Sequence, residues 1–237
     1  MKFPIWFSAG LIAASVTTAT ATPQDASHEL SPAEEFVVTQ VLAGKEADLR
    51  KQFPDEKDRK LSGHFLEDLL TGALRGVKLH RHGVGISWAI VDEEIDLKNA
   101  KILGEVLLNH CQFMRPVTFD RASFAGTVSL DNSAFKADAS FNAMKVGGDA
   151  LFNFSVFEGM VVFSYADIAG KFEAQSAKFQ STEKGAFFSG MKLRGNVSFN
   201  SAVFKGRCIS PGQTLQADSM RKRQSFRARK SKPCFWA

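Results

Sequence analysis

From Val84 to Gly206 the apolar and polar positions recur with a period of eleven residues. Slots one, three and eight of each unit are apolar, and slot six is small. Slot one runs Val84, Ile95, Val106, Val117 and on to Val197; slot three runs Ile86, Leu97, Leu108, Phe119 and on to Phe199. Slot six begins Ala89, Ala100, Cys111, Ala122, and slot eight begins Val91, Ile102, Phe113, Phe124. Slot ten is often glycine, as at Gly104, Gly126, Gly148 and Gly170. One step departs from eleven: the fourteen residues from Phe172 to Ala186, which place a three-residue loop insertion near Ser181–Lys184. Inside a unit apolar and polar residues alternate, as in Val117-Thr118-Phe119, the signature of a strand with one face buried. Short strands at a fixed interval bury that face on their neighbours, which is a solenoid. An eleven-residue period also suits a right-handed coiled coil. Units rich in Phe, Val, Ser, Asn and Gly are poor helices, however. The pattern predicts an all-β solenoid, a parallel β-helix over residues 84–206 with slots one, three, six and eight inside.

The preceding segment has a different period. Ser31-Pro32-Ala33-Glu34 is a capping box with proline at the first helical position. Ala47 to Phe53 and Ser62 to Thr71 read as two further helices, and Pro54 and Gly72 end them. A β-helix exposes open strand edges and a bare apolar cross-section at its first coil. The expected organisation is therefore a linker at 22–30, an N-terminal helical cap at 31–75 and β-helix repeats at 76–206.

Steps such as Ala122-Ser-Phe124, Ser133-Ala-Phe135, Ala177-Lys-Phe179 and Ala202-Val-Phe204 put a small residue two before a central Phe. Here residues 84–206 resemble the pentapeptide-repeat proteins. The resemblance implies a right-handed, four-sided parallel β-helix with Phe or Leu stacked in its lumen. It also implies a binding or structural role rather than catalysis. The central residues (Phe119, Phe124, Leu130, Phe135, Phe141) are spaced alternately five and six apart, so a coil would take about twenty-two residues. Of the 22 Phe, thirteen fall in the interior slots, and burying each contributes roughly 1.5–3 kcal/mol. At roughly 4.8 Å per coil the repeats make a rod about 25 Å long.

Residues 1–21 read as a signal peptide. Met1-Lys2 is basic, Phe3 to Val16 is apolar, and Ala19-Thr20-Ala21 offers a small-x-small cleavage site. That predicts a periplasmic or secreted protein, with an uncleaved membrane anchor as the alternative. Charge changes the picture only at the other end. Residues 84–206 hold thirteen acidic and twelve basic residues, whereas 207–237 hold eight basic residues against Asp218 alone. A near-neutral rod lacks the negative field with which an acidic rod would imitate DNA, so no specific nucleic-acid partner is expected. Two readings of 207–237 stay open. In one, Arg221-Lys222-Arg223 and the basic residues up to Lys232, with Phe226, Phe235 and Trp236, form a disordered arm for anionic surfaces, including membranes. In the other the tail is frameshift-derived. Permitted synonymous codons read one base out of frame then restore Leu, Phe, Ala and Phe at slots one, three, six and eight after Gly206. That reading predicts a solenoid ending near Phe204, with an open last coil prone to self-association.

Residues able to carry chemistry are sparse. Cys111 occupies small slot six; Cys208 and Cys234 lie in the tail. His64, His80 and His82 lack a further metal ligand at suitable spacing, so neither metal nor cofactor is expected. Carboxylates at slot four (Asp120, Asp131) or slot eleven (Asp138, Asp149) are the only acid/base candidates, and turns this short leave little room for a cleft. Apolar residues outside the interior slots are better candidates for contact with a partner: Trp88, Phe154 and Tyr165 at slot five, with Leu151 and Val162 at slot two. The sequence thus points to a non-enzymatic structural or protein-interaction module of the bacterial cell envelope. A β-helix carbohydrate-active enzyme is the alternative, and tail-mediated binding to anionic surfaces a lesser one.

Overall fold

A computed structural model describes residues 29–206, 208 and 209. From Val84 on, each eleven-residue unit contributes two short strands, and two units close one turn. Strands one turn apart pair in parallel and in register, as in Val106↔Val128 and Phe124↔Val146. The result is a parallel β-solenoid of about six turns. Four sheets form its sides. Side A holds Val84–Ser87, Val106–Asn109, Val128–Ser129, Ala150–Leu151, Phe172–Glu173 and Val197–Ser198. Side B runs from Ile90–Val91 to Val203–Phe204, side C from Ile95–Asp96 to Cys208–Ile209, and side D from Lys101–Ile102 to Lys192–Leu193. The spacing of five and six residues therefore keeps four sides.

The lumen is the predicted one. Slots one, three, six and eight are buried, Phe119, Phe141, Phe152 and Phe163 completely. Slot eight of side B stacks Phe113, Phe135, Phe157, Phe179 and Phe204 ring on ring at 4.4–5.1 Å. Slot three on side C stacks Phe141 on Phe163 at 4.6 Å, and edge-on rings from side A fill the space between columns. Only Ala100, Val197 and Phe204 among the interior slots are partly buried.

Slot five sets the corners between sides A and B and between C and D. Trp88, Asn99, His110, Arg121, Asn132, Ala143, Phe154, Tyr165, Ser176 and Ser201 all have φ between 53° and 66°, as does Gly190. This left-handed region turns the chain sharply and suits Gly, Asn or His; a bulky aromatic there is unusual. At the corner between D and A, slot ten is glycine because successive turns touch: a Cβ on Gly148 would lie 2.7 Å from Thr127 Oγ1 and 2.8 Å from its amide nitrogen.

Ahead of the repeats, α1 (Pro32–Leu42), α2 (Leu49–Gln52) and α3 (Gly63–Thr71) bury Val37, Val41, Leu49, Leu66, Leu69 and Leu70 against the first turn. Both components of the expected capping box at Ser31 and Glu34 are present. The segment is not purely helical. Ala47–Asp48, expected to be helical, is a strand that pairs with side A, and Lys60–Leu61 pairs with side B. Two-residue strands carry no periodicity from which they can be read. Beyond Gly206 the predicted end is also passed: Cys208–Ile209 pairs with Ala186–Phe187. A turn takes its register from backbone pairing with the turn below, so polar neighbours do not stop it.

Candidate interaction surface

The slot-five residues stack outside the core in two columns, one on each of two diagonally opposite corners. Trp88 is the most engaged. His110 lies parallel to it at 4.4 Å, and the Arg50 guanidinium sits over the ring at 4.6 Å from its centre. With both faces occupied and the ring half-buried, Trp88 serves the first turns more than a free surface. Two turns beyond His110, Phe154 is 59% exposed; on the opposite corner Tyr165 is 66% exposed. Leu151 lies on side A beside Phe154, and Val162 on side C beside Tyr165. The five expected contact residues thus divide into Trp88, Leu151 and Phe154 on one flank and Val162 and Tyr165 on the other. No single partner face joins them. Leu103 and Met114, 87% and 41% exposed, add apolar surface that the sequence reading did not select. Their slot, nine, varies in character, so periodicity alone gave no signal.

The four candidate acid/base carboxylates all have structural work. Slot-four and slot-eleven amides face the preceding turn, where a side-chain oxygen accepts them. Asp131 Oδ1 takes the Asn153 amide at 2.6 Å, and Asp120 Oδ1 takes that of Asn142 at 3.2 Å. Asp138 Oδ1 takes Met160 and Asp149 Oδ1 takes Lys171, at 2.9 and 2.8 Å. Asn109 and Asn153 do the same for Asp131 and Gln175. These ladders satisfy backbone donors at the corners. Burial outweighs the hydrogen bonds at Asp131 and holds its carboxyl above the usual range, with Glu173 adding to the effect. Asp138 is also partly desolvated, yet Lys184 and the Met160 amide hold it below. The inserted loop does form one open groove at the corner between B and C, contrary to the expectation that the turns leave little room. Four of its five lining charges are paired across turns, Lys136 with Glu158 at 2.6 Å and Lys184 with Asp138 at 2.8 Å, and Glu183 is left.

Cys111 is buried, and desolvation pushes its thiol up to about 12, so it stays a protonated core residue. His80 and His82 pack edge-on at 4.3 Å near Gly44, and His64 Nδ1 lies 3.4 Å from Glu67. No group of three metal-ligating side chains occurs among the described residues.

Residues 97–145 match the family model described as pentapeptide repeats (9 copies). The match is consistent with a pentapeptide-repeat protein. No curated protein and no solved structure matches it. Pentapeptide-repeat solenoids are generally non-enzymatic, and the fold suggests a structural or protein-interaction module. Of the tail, only Cys208 and Ile209 lie within the described residues; the signal peptide, Cys234, the basic cluster and the proposed frameshift lie outside them.

Proposed function

We propose that the chain is a pentapeptide-repeat protein and a non-enzymatic interaction module of the bacterial cell envelope. In this reading residues 1–21 direct export and residues 31–75 close the first turn as a mostly helical cap. The repeats form a right-handed rod whose flank carries a partner site at Leu151 and Phe154. The observation that carries the reading is Phe154. It places a large apolar ring 59% in solvent at φ 59°, where a bulky side chain is disfavoured. An exposed residue at a strained corner contributes little to the core, so binding gives it a reason. The supporting experiment is affinity capture from an envelope extract, with wild type compared with L151S/F154S. The double variant should fold normally and lose a specific partner. A partner retained at full occupancy would refute the site, and proteins found equally in a cytosolic extract would refute the envelope role.

A further inference from the structure

Charge on the rod is near balance in sequence, but the fold sorts it by side. Outward positions on side D are slots seven and nine of alternate units. Slot seven reads Lys101, Ser123, Lys145, Asp167, Lys192 from turn to turn, and strand pairing sets these residues directly beside one another. Slot nine reads Leu103, Ala125, Gly147, Ala169, Arg194. Four cations therefore face one carboxylate, Asp167, which is bound to Arg194 at 3.3 Å. Lys101, Lys145 and Lys192 are exposed, and among the described residues none of them forms an ion pair. They stand in one column, two turns or about 10 Å apart.

The other sides differ. Side A carries Asp131 and Glu173 outward with no cation. Side C carries Asp96, Lys98 and Asp120, with Lys98 3.5 Å from Asp96. On side B, Lys60 is paired with Asp92 and Lys136 with Glu158 one turn away, and among the described residues Lys178 alone stands exposed between turns without an ion pair. Turn-to-turn ion pairs are thus available to this architecture, and the lysines of side D lack them. Arg121 flanks side D on one corner; Glu105, Asp149 and Lys171 flank it on the other.

We infer that side D is a docking surface for an anionic lipid bilayer. Side D is a flat sheet in which Ser123, Ala125, Gly147 and Ala169 raise nothing tall between the lysines, so a plane can approach all three at once. A planar, diffusely anionic partner matches that shape better than a groove or a point ligand. The tail points to the same chemistry independently: Arg221-Lys222-Arg223, Arg227, Arg229, Lys230 and Lys232 with interspersed Phe and Trp make a basic-aromatic segment of the kind attracted to anionic headgroups. Cations near the surface act within a Debye length, so the attraction fades as salt rises.

The test is co-sedimentation of the full chain with vesicles of phosphatidylglycerol and phosphatidylcholine, or of phosphatidylcholine alone. Wild type should bind the anionic vesicles and release them as salt rises. K101E/K145E/K192E should bind at least tenfold more weakly, and K101Q/K145Q/K192Q by an intermediate factor. K98E on side C should change binding less than twofold. All these positions are exposed, so melting temperatures should match wild type. Equal binding by the wild type and the triple-Glu variant would overturn the inference. Equal binding to neutral vesicles would do the same, as would lipid-independent capture by an acidic protein, nucleic acid or a second copy that the triple variant abolishes. Failure here leaves the partner site at Leu151 and Phe154 standing, because that site is read by protein capture on another side of the rod.

Discussion

The first turn and the last described turn of the solenoid bound the same core differently. At the first turn, sides A and B are extended by Ala47–Asp48 and Lys60–Leu61, so their strand edges are paired. Sides C and D are covered by α3, where Glu67 accepts the Asp96 amide at 2.6 Å and Glu93 accepts that of Gly63 at 2.9 Å. Leu66 and Leu69 beneath are at most 1% exposed. At the last described turn, Leu193 is 7% exposed, and Val197, Phe204 and Cys208 are partly buried. The interior slots are as apolar there as in the middle. What differs among the described residues is the cover: strands and α3 pair with or pack on the first turn, and no described element does so for the last.

The largest expected effect lies between the ends. Phe152→Asp puts an unpaired charge in the centre of the stack and should cost more than about 3 kcal/mol; a cooperative melt near the wild-type temperature would refute the interior assignment. Next, Leu69→Ala beneath the N-terminal cover should cost about 2–5 kcal/mol, whereas the same change at the interior Leu193 of the last described turn, 7% exposed, should fall at the low end of that range. Urea midpoints for the pair sharpen the comparison, and equal losses would mean the two ends are equally closed. Glu34 joins the helices of the cover. Burial acts to raise its pKa, but bonds from the Ser31 and Ser62 amides and the Ser62 hydroxyl prevail and hold it below the usual carboxylate range. Because the folded value lies below the unfolded one, the stabilisation is complete above the ordinary carboxylate range and is lost as pH falls through the lowered value. Glu34→Gln should therefore cost about 1–3 kcal/mol at neutral pH and remove part of the acid sensitivity of the melt. The smallest effect is expected at Asp131→Asn. Its raised pKa marks an unfavourable charge, and asparagine keeps the acceptor for Asn153, so stability at neutral pH should hold or rise slightly.

Interior packing was legible in the chain because Phe, Val and Leu recur in slots that every turn repeats. The capping box at Ser31 and the end of α3 at Gly72 were legible for a different reason, each having a local residue signature. The corners were not. Trp88, Arg121, Ala143 and Tyr165 occupy left-handed turns that neighbouring units fill with Asn or His, so the register imposes the conformation and the residue type conceals it. Strands at Ala47, Lys60 and Cys208 were missed because their partners lie a full turn away in space and leave no mark in the local pattern. The candidate contacts lie outside the interior slots, and their division between two flanks depends on which corner each unit supplies.

The inserted loop has a wider meaning for how such a rod can change. Across it the paired residues are 25 apart, Val161↔Ala186 and Phe172↔Val197, and immediately afterwards Ala186↔Cys208 is 22 apart again. Three extra residues are absorbed at one corner, and no strand above or below shifts by a single position. Length and order are uncoupled there. Foreign peptides could be spliced between Ser181 and Gly185 without rewriting the turns on either side, making that corner a ready socket for grafted sequence.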